Sequence, residues 1–362
     1  MKKKLLFLMS VFTVIVIGTV ALVKSTTKNN QFDHDRENNL VIVTSFYPMY
    51  VLTQNLVEGI QGVSVVNLTS AQVGCLHDYQ LTTEDMKTLS TGDIFIMNGG
   101  GMESFLEDVV NAYPSLTLID ASAGIELLPS YAQHDHNHED ETEHNHDDEI
   151  DHIHDDEVDH NHDEETDHNH DEDIDHNHDN ETAHNHDHDH GEYNGHVWLN
   201  MDHYMKQIDQ VANELTKVDS MNGEAYLENA TSYKAKISEL KSEYENELQQ
   251  IVNDQVIIFH DAFAYLAQQL GIEVVYEVFI EEDSALSAGD IKAVIDEIKL
   301  HDIKVLMVEE QYKNSIADNI SKETNATVYV VDSLVTGDGS KDSYLNGMRK
   351  NLEVLKTALY TE

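Results

Sequence analysis

Short runs of β-branched and aliphatic residues alternate with amphipathic segments along most of the chain. The first half has four such runs, at residues 40–45, 63–69, 93–98 and 116–120. The second half repeats the pattern at residues 255–259, 273–279, 304–308 and 327–331. Helical periodicity falls between the runs, at residues 49–59, 82–89, 262–270, 288–300 and 315–323. This alternation predicts an α/β fold with two Rossmann-like lobes, each a parallel sheet covered by helices.

One helical segment is much longer than the others. Between residues 224 and 251, apolar or aromatic side chains recur at steps of three or four, and no proline or glycine interrupts them. At about 1.5 Å per residue such a helix is roughly 40 Å long. It is either an ordinary surface helix or a rigid strut that joins the lobes. The strut interpretation gives an N-terminal lobe at residues 40–222, a linker helix at 223–251 and a C-terminal lobe at 252–362.

The first 30 residues have the pattern of an export segment. Lys2, Lys3 and Lys4 precede an apolar run at residues 5–23, which a polar stretch follows. The run is longer than the roughly 7–15 apolar residues of a signal peptide and approaches the roughly 20 that span a bilayer. A cleaved signal peptide and an uncleaved anchor therefore both stay open. We expect an extracytoplasmic protein, at the cell surface or in the periplasm, that associates with the membrane through its N-terminus if the segment is uncleaved.

Charge and cysteine content exclude several classes of protein. The formal net charge is −48, and this acidic excess repels phosphate backbones, so we expect no binding to nucleic acid. The single cysteine excludes a disulfide framework and every cysteine-rich zinc module. The sequence contains no nucleophile elbow, HExxH helix or phosphate loop, and it therefore does not predict an enzyme.

A histidine-rich tract occupies residues 133–192. It holds 17 of the 23 histidines and 26 Asp or Glu residues, and its polar composition predicts a disordered loop within the N-terminal lobe. Histidine pairs recur every eight residues, and residues i and i+2 of an extended chain point the same way. The tract is either a solvated acidic linker or a series of weak, exchangeable metal sites. The paired histidines are His144, His146, His152, His154, His160, His162, His168, His170, His176, His178, His184 and His186.

Six histidines lie outside the tract. His77, His196 and His260 fall at the ends of predicted strands or in nearby loops, where open α/β sheets bind ligands. They are either metal ligands or capping and core histidines, because spacing along the chain does not show whether they meet. The other three, which we expect on solvated surfaces, are His34, His203 and His301.

Several longer segments carry a resemblance that runs from about residue 40 to residue 359. In chain order they are TTEDMKTLSTGDIFIMNGGGMESFL, HVWLN, AYLENATSYKAKISEL, FHDAFAYLAQQLGI, VLMVEEQYKNSIADNIS and VVDSLVTGDGSKDSYLNGMRKNLEVL. Each segment alone is weak evidence of a relationship, but the order of all six across two lobes and a long helix is specific to one family. The sequence resembles the metal-binding receptors of bacterial zinc and manganese ABC importers, the ZnuA-like and TroA-like substrate-binding proteins.

The resemblance implies one metal ion in a cleft between the two lobes. Carried over residue by residue, it assigns His77 and His196 from the first lobe, His260 from the second, and Asp332 as the fourth ligand. Some family members fill that fourth position with another ligand or with water. Three imidazoles and one carboxylate favour Zn²⁺ over Mn²⁺.

The implied function is a high-affinity zinc receptor that passes its ion to the permease of an ABC importer, which an ATPase powers. We expect it to act as a monomer, with the histidine-rich tract as a low-affinity zinc collector or sensor. Asp78 and Asp261, each directly after a proposed ligand, are candidates for outer-sphere or capping groups. Two other functions stay open: an extracellular metal buffer that acts through the tract, and a three-histidine zinc hydrolase.

Overall fold

The computed structural model describes residues 39–69, 76, 79–130, 193–278, 288–310 and 318–360. Five predictions fall on residues outside these ranges: the export segment at 1–30, the tract at 133–192 with all of its histidines, the proposed ligand His77, the outer-sphere candidate Asp78 and the expected surface histidine His34. Within the described residues, no helix combines the length and the apolar character needed to span a membrane.

The first sheet consists of four parallel strands. They are β1 (Leu40–Thr44), β2 (Val63–Asn67), β3 (Ile94–Met97) and β4 (Thr117–Asp120). The order across the sheet is β2-β1-β3-β4, with Ile42 opposite both Val65 and Ile94. The connecting helices are α1 (Tyr47–Leu56), α2 (Thr83–Leu89) and α3 (Leu106–Ala112). All four predicted strands of the first lobe are confirmed.

The second sheet repeats this topology. Its strands are β5 (Gln255–Ile258), β6 (Glu273–Glu277), β7 (Val305–Val308) and β8 (Thr327–Val330), again all parallel. The order β6-β5-β7-β8 is the same permutation as in the first sheet. Helices α6 (Ala264–Leu270), α7 (Ala288–His301) and α8 (Asp318–Glu323) accompany it. The α/β fold of two Rossmann-like lobes is therefore confirmed.

Three longer helices lie outside the two repeats. They are α4 (Met201–Val218), α5 (Gly223–Glu247) and α9 (Ser343–Tyr360). The sequence predicted only α5, and its predicted end at residue 251 is wrong. Leu248 has already left the helical conformation, and the next residues turn toward α9, where the N–H groups of Val252 and Asn253 donate to the Leu359 carbonyl at 2.9 and 3.1 Å.

The long helix α5 is packed on several sides rather than exposed as a free strut. Its buried side chains, among them Tyr226, Tyr233, Ile237 and Tyr244, follow the predicted steps of three or four. They contact α1, α4 and α9 and belong to one continuous apolar core that also covers the inner parts of both sheets. A second, smaller cluster lies in the C-terminal lobe, around Ile257, Val294 and Leu306.

Buried polar contacts join the two lobes beside this core. The indole N–H of Trp198 donates to the Ser333 carbonyl at 2.8 Å, and the Tyr344 hydroxyl donates to the Trp198 carbonyl at 2.9 Å. The rings of Tyr204 and Tyr344 stack with their centroids 4.0 Å apart. These contacts connect the segment before α4 to the segment after β8, and each of those segments carries a predicted metal ligand.

Packing of α5 can be tested by truncating two leucines on the same helix. Leu240 is 0% exposed and Leu227 is 42% exposed. We expect Leu240→Ala to lower the free energy of unfolding by about 2–5 kcal/mol, because it leaves a cavity in the shared core. Leu227→Ala is the matched control and should cost less than about 1 kcal/mol. Urea denaturation measures both, and equal losses would contradict this packing.

Candidate metal centre

His196 reaches the centre from a short turn that precedes α4. The residue is 0% exposed and is followed by the 3₁₀ turn Val197–Leu199, whose Trp198 ring lies 5.2 Å from the His196 ring. The loop is held against the end of β3, because the Asn98 side-chain amide donates to the Gly195 carbonyl at 2.8 Å. Trp198 is completely buried and serves packing beside His196.

The turn after β3 is built from the three consecutive glycines at positions 99–101. All three have positive φ, and a Cβ at Gly99 would lie 2.1 Å from a carboxylate oxygen of Asp120, so no other residue fits there. The buried carboxyl of Glu103 accepts from the backbone N–H groups of Asn98 at 2.7 Å and Gly99 at 3.1 Å. Burial raises the pKa of Glu103 to about 7. Glu103 thus fixes the turn on which the His196 loop rests.

His260 comes from the second lobe, just after β5. Strand β7 is the neighbour of β5 in the sheet, so the residue that follows β7, Glu309, lies beside it. The Glu309 carboxylate is 3.1 Å from Nδ1 of His260 and its side chain is 4% exposed. A carboxylate on the second nitrogen of a histidine is the usual outer-sphere arrangement at metal sites, where it orients the ring.

The two histidines meet although they lie far apart in the sequence. Their ring centroids are 4.8 Å apart, and the Asp261 carboxylate is 3.2 Å from Nδ1 of His196 and 3.4 Å from Nε2 of His260. One ligand atom from each of these three residues lies within 4.8 Å of the other two. Among the residues that the structure describes, this is the one group of three potential ligands that does so.

Further carboxylates surround His260 at the same end of the second sheet. Glu277 ends β6, opposite Ile258 at the end of β5. Burial raises the pKa of Glu277 to about 8, with Asp261 adding to the rise and His260 opposing it. With Asp261, Glu309 and Asp332, every strand of this sheet therefore has an acidic residue at or just beyond its carboxyl end.

Asp332 follows β8 in a tightly held turn. Its carboxylate accepts from the Leu334 N–H at 2.8 Å, and the Asn351 side chain bonds both its N–H and its carbonyl at 2.8 Å. Leu334 has a φ of 63°, and its side chain packs against Gly347, where a Cβ would lie 2.3 Å from a Leu334 methyl and force that side chain to shift. Desolvation of the carboxyl and the nearby Glu309 raise the pKa of Asp332.

The predicted ligands thus fall into three groups. His196 and His260 come together, as the family resemblance implied, and their role as ligands stays a prediction. Asp332 is not part of the described three-residue group, so its role as a ligand stays a prediction. His77 and the tract histidines lie outside the described residues, and their roles stay predictions too.

Two surface predictions for histidines have different outcomes. His203 was expected on a solvated surface, which is wrong: its ring packs edge-on against Tyr265 with centroids 5.6 Å apart, and desolvation lowers its pKa. The error arose because the helical pattern of α4, which half-buries this residue, was not identified. His301 lies exposed at the end of α7, as expected.

The sequence analysis overlooked Glu309 and Glu277 and left Asp261 unassigned. Asp261 and Glu309 were detectable in principle, because each is an acidic residue just after the end of a predicted strand, where α/β sheets bind ligands. Glu277 lies within the predicted strand at 273–279, which ends earlier in the structure. The donor set of imidazole and carboxylate suits a divalent ion of borderline softness, with zinc favoured among the common metals.

Comparisons with known proteins agree with this geometry. The family model described as zinc-uptake complex component A, periplasmic (ZnuA), matches residues 42–358. The zinc-binding protein AdcA of Streptococcus pyogenes is 26% identical over 362 residues, which is 98% of this chain and 61% of that protein. The high-affinity zinc uptake system protein ZnuA of Bacillus subtilis is 26% identical over 341 residues, 92% of each chain. This chain thus spans about three-fifths of the AdcA length.

A solved structure shows the same fold. The substrate-binding protein FpvC of Pseudomonas aeruginosa, in complex with Mn²⁺, superposes with a TM-score of 0.67 and 23% sequence identity. The match covers 89% of this chain and 98% of that chain. The two-lobed architecture described above is therefore shared with known metal-binding proteins.

The buried carboxyl of Glu103, which fixes the turn under the His196 loop, is expected to make the free energy of unfolding depend on pH. The pKa of Glu103 rises from 4.5 to about 7 in the folded protein, so the folded state holds the proton more tightly. Below about pH 4.5, Glu103 therefore makes its full contribution to the free energy of unfolding. As pH rises through about 7, this contribution is lost, which lowers the free energy of unfolding by on the order of 3 kcal/mol. Urea denaturation of wild type and Glu103→Gln at pH 4.5, 6 and 8 measures it.

The glutamine variant keeps the shape of the side chain but cannot ionise. We expect its free energy of unfolding to rise relative to wild type by about 3 kcal/mol between pH 4.5 and 8. A hydrogen bond lost in the variant lowers its free energy of unfolding equally at every pH, so the pH-dependent difference from wild type stays the same. Parallel curves would show that Glu103 does not titrate in this range.

Proposed function

We propose that this chain, which belongs to the ZnuA family of periplasmic zinc-uptake components, binds one zinc ion between its two lobes and presents it to a membrane importer. The observation that carries the proposal is the meeting of His196 and His260, whose rings come from different lobes to within 4.8 Å. Buried imidazoles from distant segments, grouped with a carboxylate, are expected of a ligand site and not of a packing contact.

The proposed ligands are His77, His196 and His260, with an oxygen ligand in the fourth position. Asp332 is the carboxylate that the family resemblance assigns there. Asp261 is the alternative, because its carboxylate is already 3.4 Å from Nε2 of His260. The carboxylate of Glu309 lies 3.1 Å from Nδ1 of His260, an arrangement that supports binding of the ion through Nε2.

Electrostatics favour capture of a cation at this site. The carboxylates of Asp261, Glu309 and Asp332 at the carboxyl end of the second sheet create a negative potential that attracts divalent ions and opposes anions. Glu277, with its pKa raised to about 8, is mostly protonated at neutral pH and adds little to this potential. Neutral imidazoles contribute donor atoms without adding charge, and they favour Zn²⁺ over Mn²⁺, which prefers oxygen ligands. The fixed orientation of each ring limits the entropy that is lost when the ion binds.

Transport requires binding and release, and no covalent bond is made or broken. We propose that the chain acts outside the cytoplasm, with residues 1–30 as its export signal or anchor, and works as a monomer. Its partners are the permease of an ABC importer and the ATPase that powers it. The histidine-rich tract at residues 133–192 serves as a low-affinity zinc collector or sensor in addition to the tight site.

Deleting residues 133–192 distinguishes a receptor from a metal buffer. Pro129 and Tyr193, which flank this segment, pair as an antiparallel bridge, so a short Gly-Ser linker can replace the deleted residues. We expect calorimetric titration with zinc to show one tight site that survives the deletion, while several weaker sites disappear. Loss of nearly all zinc binding would instead indicate a buffer that acts through the tract.

The identity of the tight-site histidines can be tested in the full-length chain. We expect His260→Ala to weaken tight zinc binding by more than about 100-fold, beyond the range typical of outer-sphere partners. His301→Ala is the control, because that residue is exposed on α7, where its Nε2 lies 3.4 Å from the carboxylate of Glu297 on the same helix. Competition with a chelator, at zinc levels that leave the weak sites empty, measures both. Equal affinities would remove His260 from the site.

A further inference from the structure

We propose that Asn194 is a positioning residue of the metal centre: its side chain selects which nitrogen of His196 faces the ion and ties that histidine to the second lobe. The inference rests on the proposed function, because it concerns how the same site is held. It assigns a role to a residue two positions before a ligand.

The side chain of Asn194 contacts both lobes at once. Asn194 is 1% exposed, and its Oδ1 accepts from the backbone N–H of His196 at 2.9 Å and lies 3.0 Å from Nδ1 of the same ring. Its Nδ2 donates to the carbonyl of Asp261 at 2.8 Å. A path of short contacts therefore runs from His196 through Asn194 to Asp261, which is the neighbour of His260 in the chain.

These contacts determine the orientation of the amide. A backbone N–H can only donate, so the Asn194 atom that it meets must be the oxygen. A backbone carbonyl can only accept, so the Asn194 atom facing Asp261 must be the nitrogen. Both requirements select the same orientation, and the atom beside Nδ1 of His196 is therefore an acceptor.

An acceptor beside Nδ1 determines the tautomer of the ring. A neutral imidazole has one N–H donor and one lone-pair acceptor, so Nδ1 of His196 must carry the hydrogen. The Asp261 carboxylate, 3.2 Å from the same nitrogen, is a second acceptor and favours the same tautomer. Nε2 then keeps its lone pair, and it is the nitrogen that can bind a metal.

The backbone of Asn194 is fixed as firmly as its side chain. Its N–H donates to the Leu128 carbonyl at 2.8 Å, and its carbonyl accepts from the Tyr265 hydroxyl at 2.9 Å. The same hydroxyl accepts from the Leu128 N–H at 2.9 Å. Tyr265 lies in α6 of the second lobe, so two separate contacts hold Asn194 against that lobe.

An amide suits this position better than a carboxylate. Aspartate at position 194 would still accept from Nδ1 of His196, but it could not donate to the Asp261 carbonyl, and two acceptors would then face each other at 2.8 Å. It would also add a negative charge near Asp261. Asn194 thus orients one histidine without further charge, whereas Glu309 orients the other with a carboxylate.

The first test measures the tautomer of His196 in the metal-free full-length chain. Long-range ¹H–¹⁵N correlation spectra at pH 8 distinguish a ring with the hydrogen on Nδ1 from one with it on Nε2. A spectrum of His196→Gln identifies the signal by its disappearance. We expect the Nδ1–H tautomer, and an Nε2–H tautomer would overturn the proposal because it would leave Nδ1 as the metal-binding nitrogen.

The second test compares two buried asparagines that both bond across the lobes. Asn55 is the matched control, because its side-chain amide donates to the carbonyls of Val51 and Lys341 at 2.9 Å, away from the metal centre. We expect Asn194→Ala to weaken tight zinc binding by about 10–100-fold, while Asn55→Ala binds like wild type. Asn194→Asp should also bind more weakly, and it provides a second variant if the alanine variant does not fold.

The outcomes separate this inference from the proposed function. A wild-type chain without a tight zinc site would contradict the proposed function, whatever the variants do. A wild-type chain that binds zinc tightly, with Asn194→Ala and Asn55→Ala matching it, would leave the receptor function intact and overturn the role of Asn194.

Discussion

The contact between two buried imidazoles and the Asp261 carboxylate is the constraint on which the rest of the structure depends. His196 is shielded from water and His260 is largely so, and buried ring nitrogens need polar partners. Oxygens of Asn194, Asp261 and Glu309 lie within 3.4 Å of these nitrogens. Because the histidines come from different lobes, the partners can meet them only if the carboxyl ends of both sheets face one another.

The scaffold behind the centre maintains that arrangement. Strands β1 and β5 occupy the same place in two sheets of identical order. His260 and Asp261 follow β5 directly, Glu309 follows its neighbour β7, and the His196 loop rests on the turn after β3, the neighbour of β1. Helices α4, α5 and α9 share one apolar core, and Trp198 and Tyr344 link the His196 segment to the Asp332 segment. A displacement of either lobe would therefore break several buried contacts together, which favours a site that is largely formed before the ion arrives.

The periodic pattern of the sequence predicted most of the fold and part of the site. Buried parallel strands are short apolar runs bounded by turns, so all eight could be identified, and the long helix was evident from its steps of three or four. Helices α4 and α9 have equally clear patterns, at Tyr204, Ile208 and Leu215 and at Met348 and Leu355, but they were not identified, and His203 was misplaced as a result.

The sequence pattern could not show that the site residues meet in space. Distance along the chain carries no information on distance in space, so the meeting of His196 and His260 rested on family resemblance alone. The contact between Glu309 and His260 requires β5 and β7 to be neighbours, and the contact between Asn194 and Asp261 requires the lobes to be docked. Both follow from tertiary structure and not from local propensity.

A crystal structure of the zinc-loaded chain, with anomalous scattering measured on both sides of the zinc absorption edge, tests the central claim most directly. The account predicts one strong zinc peak at the lobe interface, about 2.0–2.1 Å from Nε2 of His196 and from Nε2 of His260. A zinc ion bound elsewhere, with neither histidine among its ligands, would contradict it.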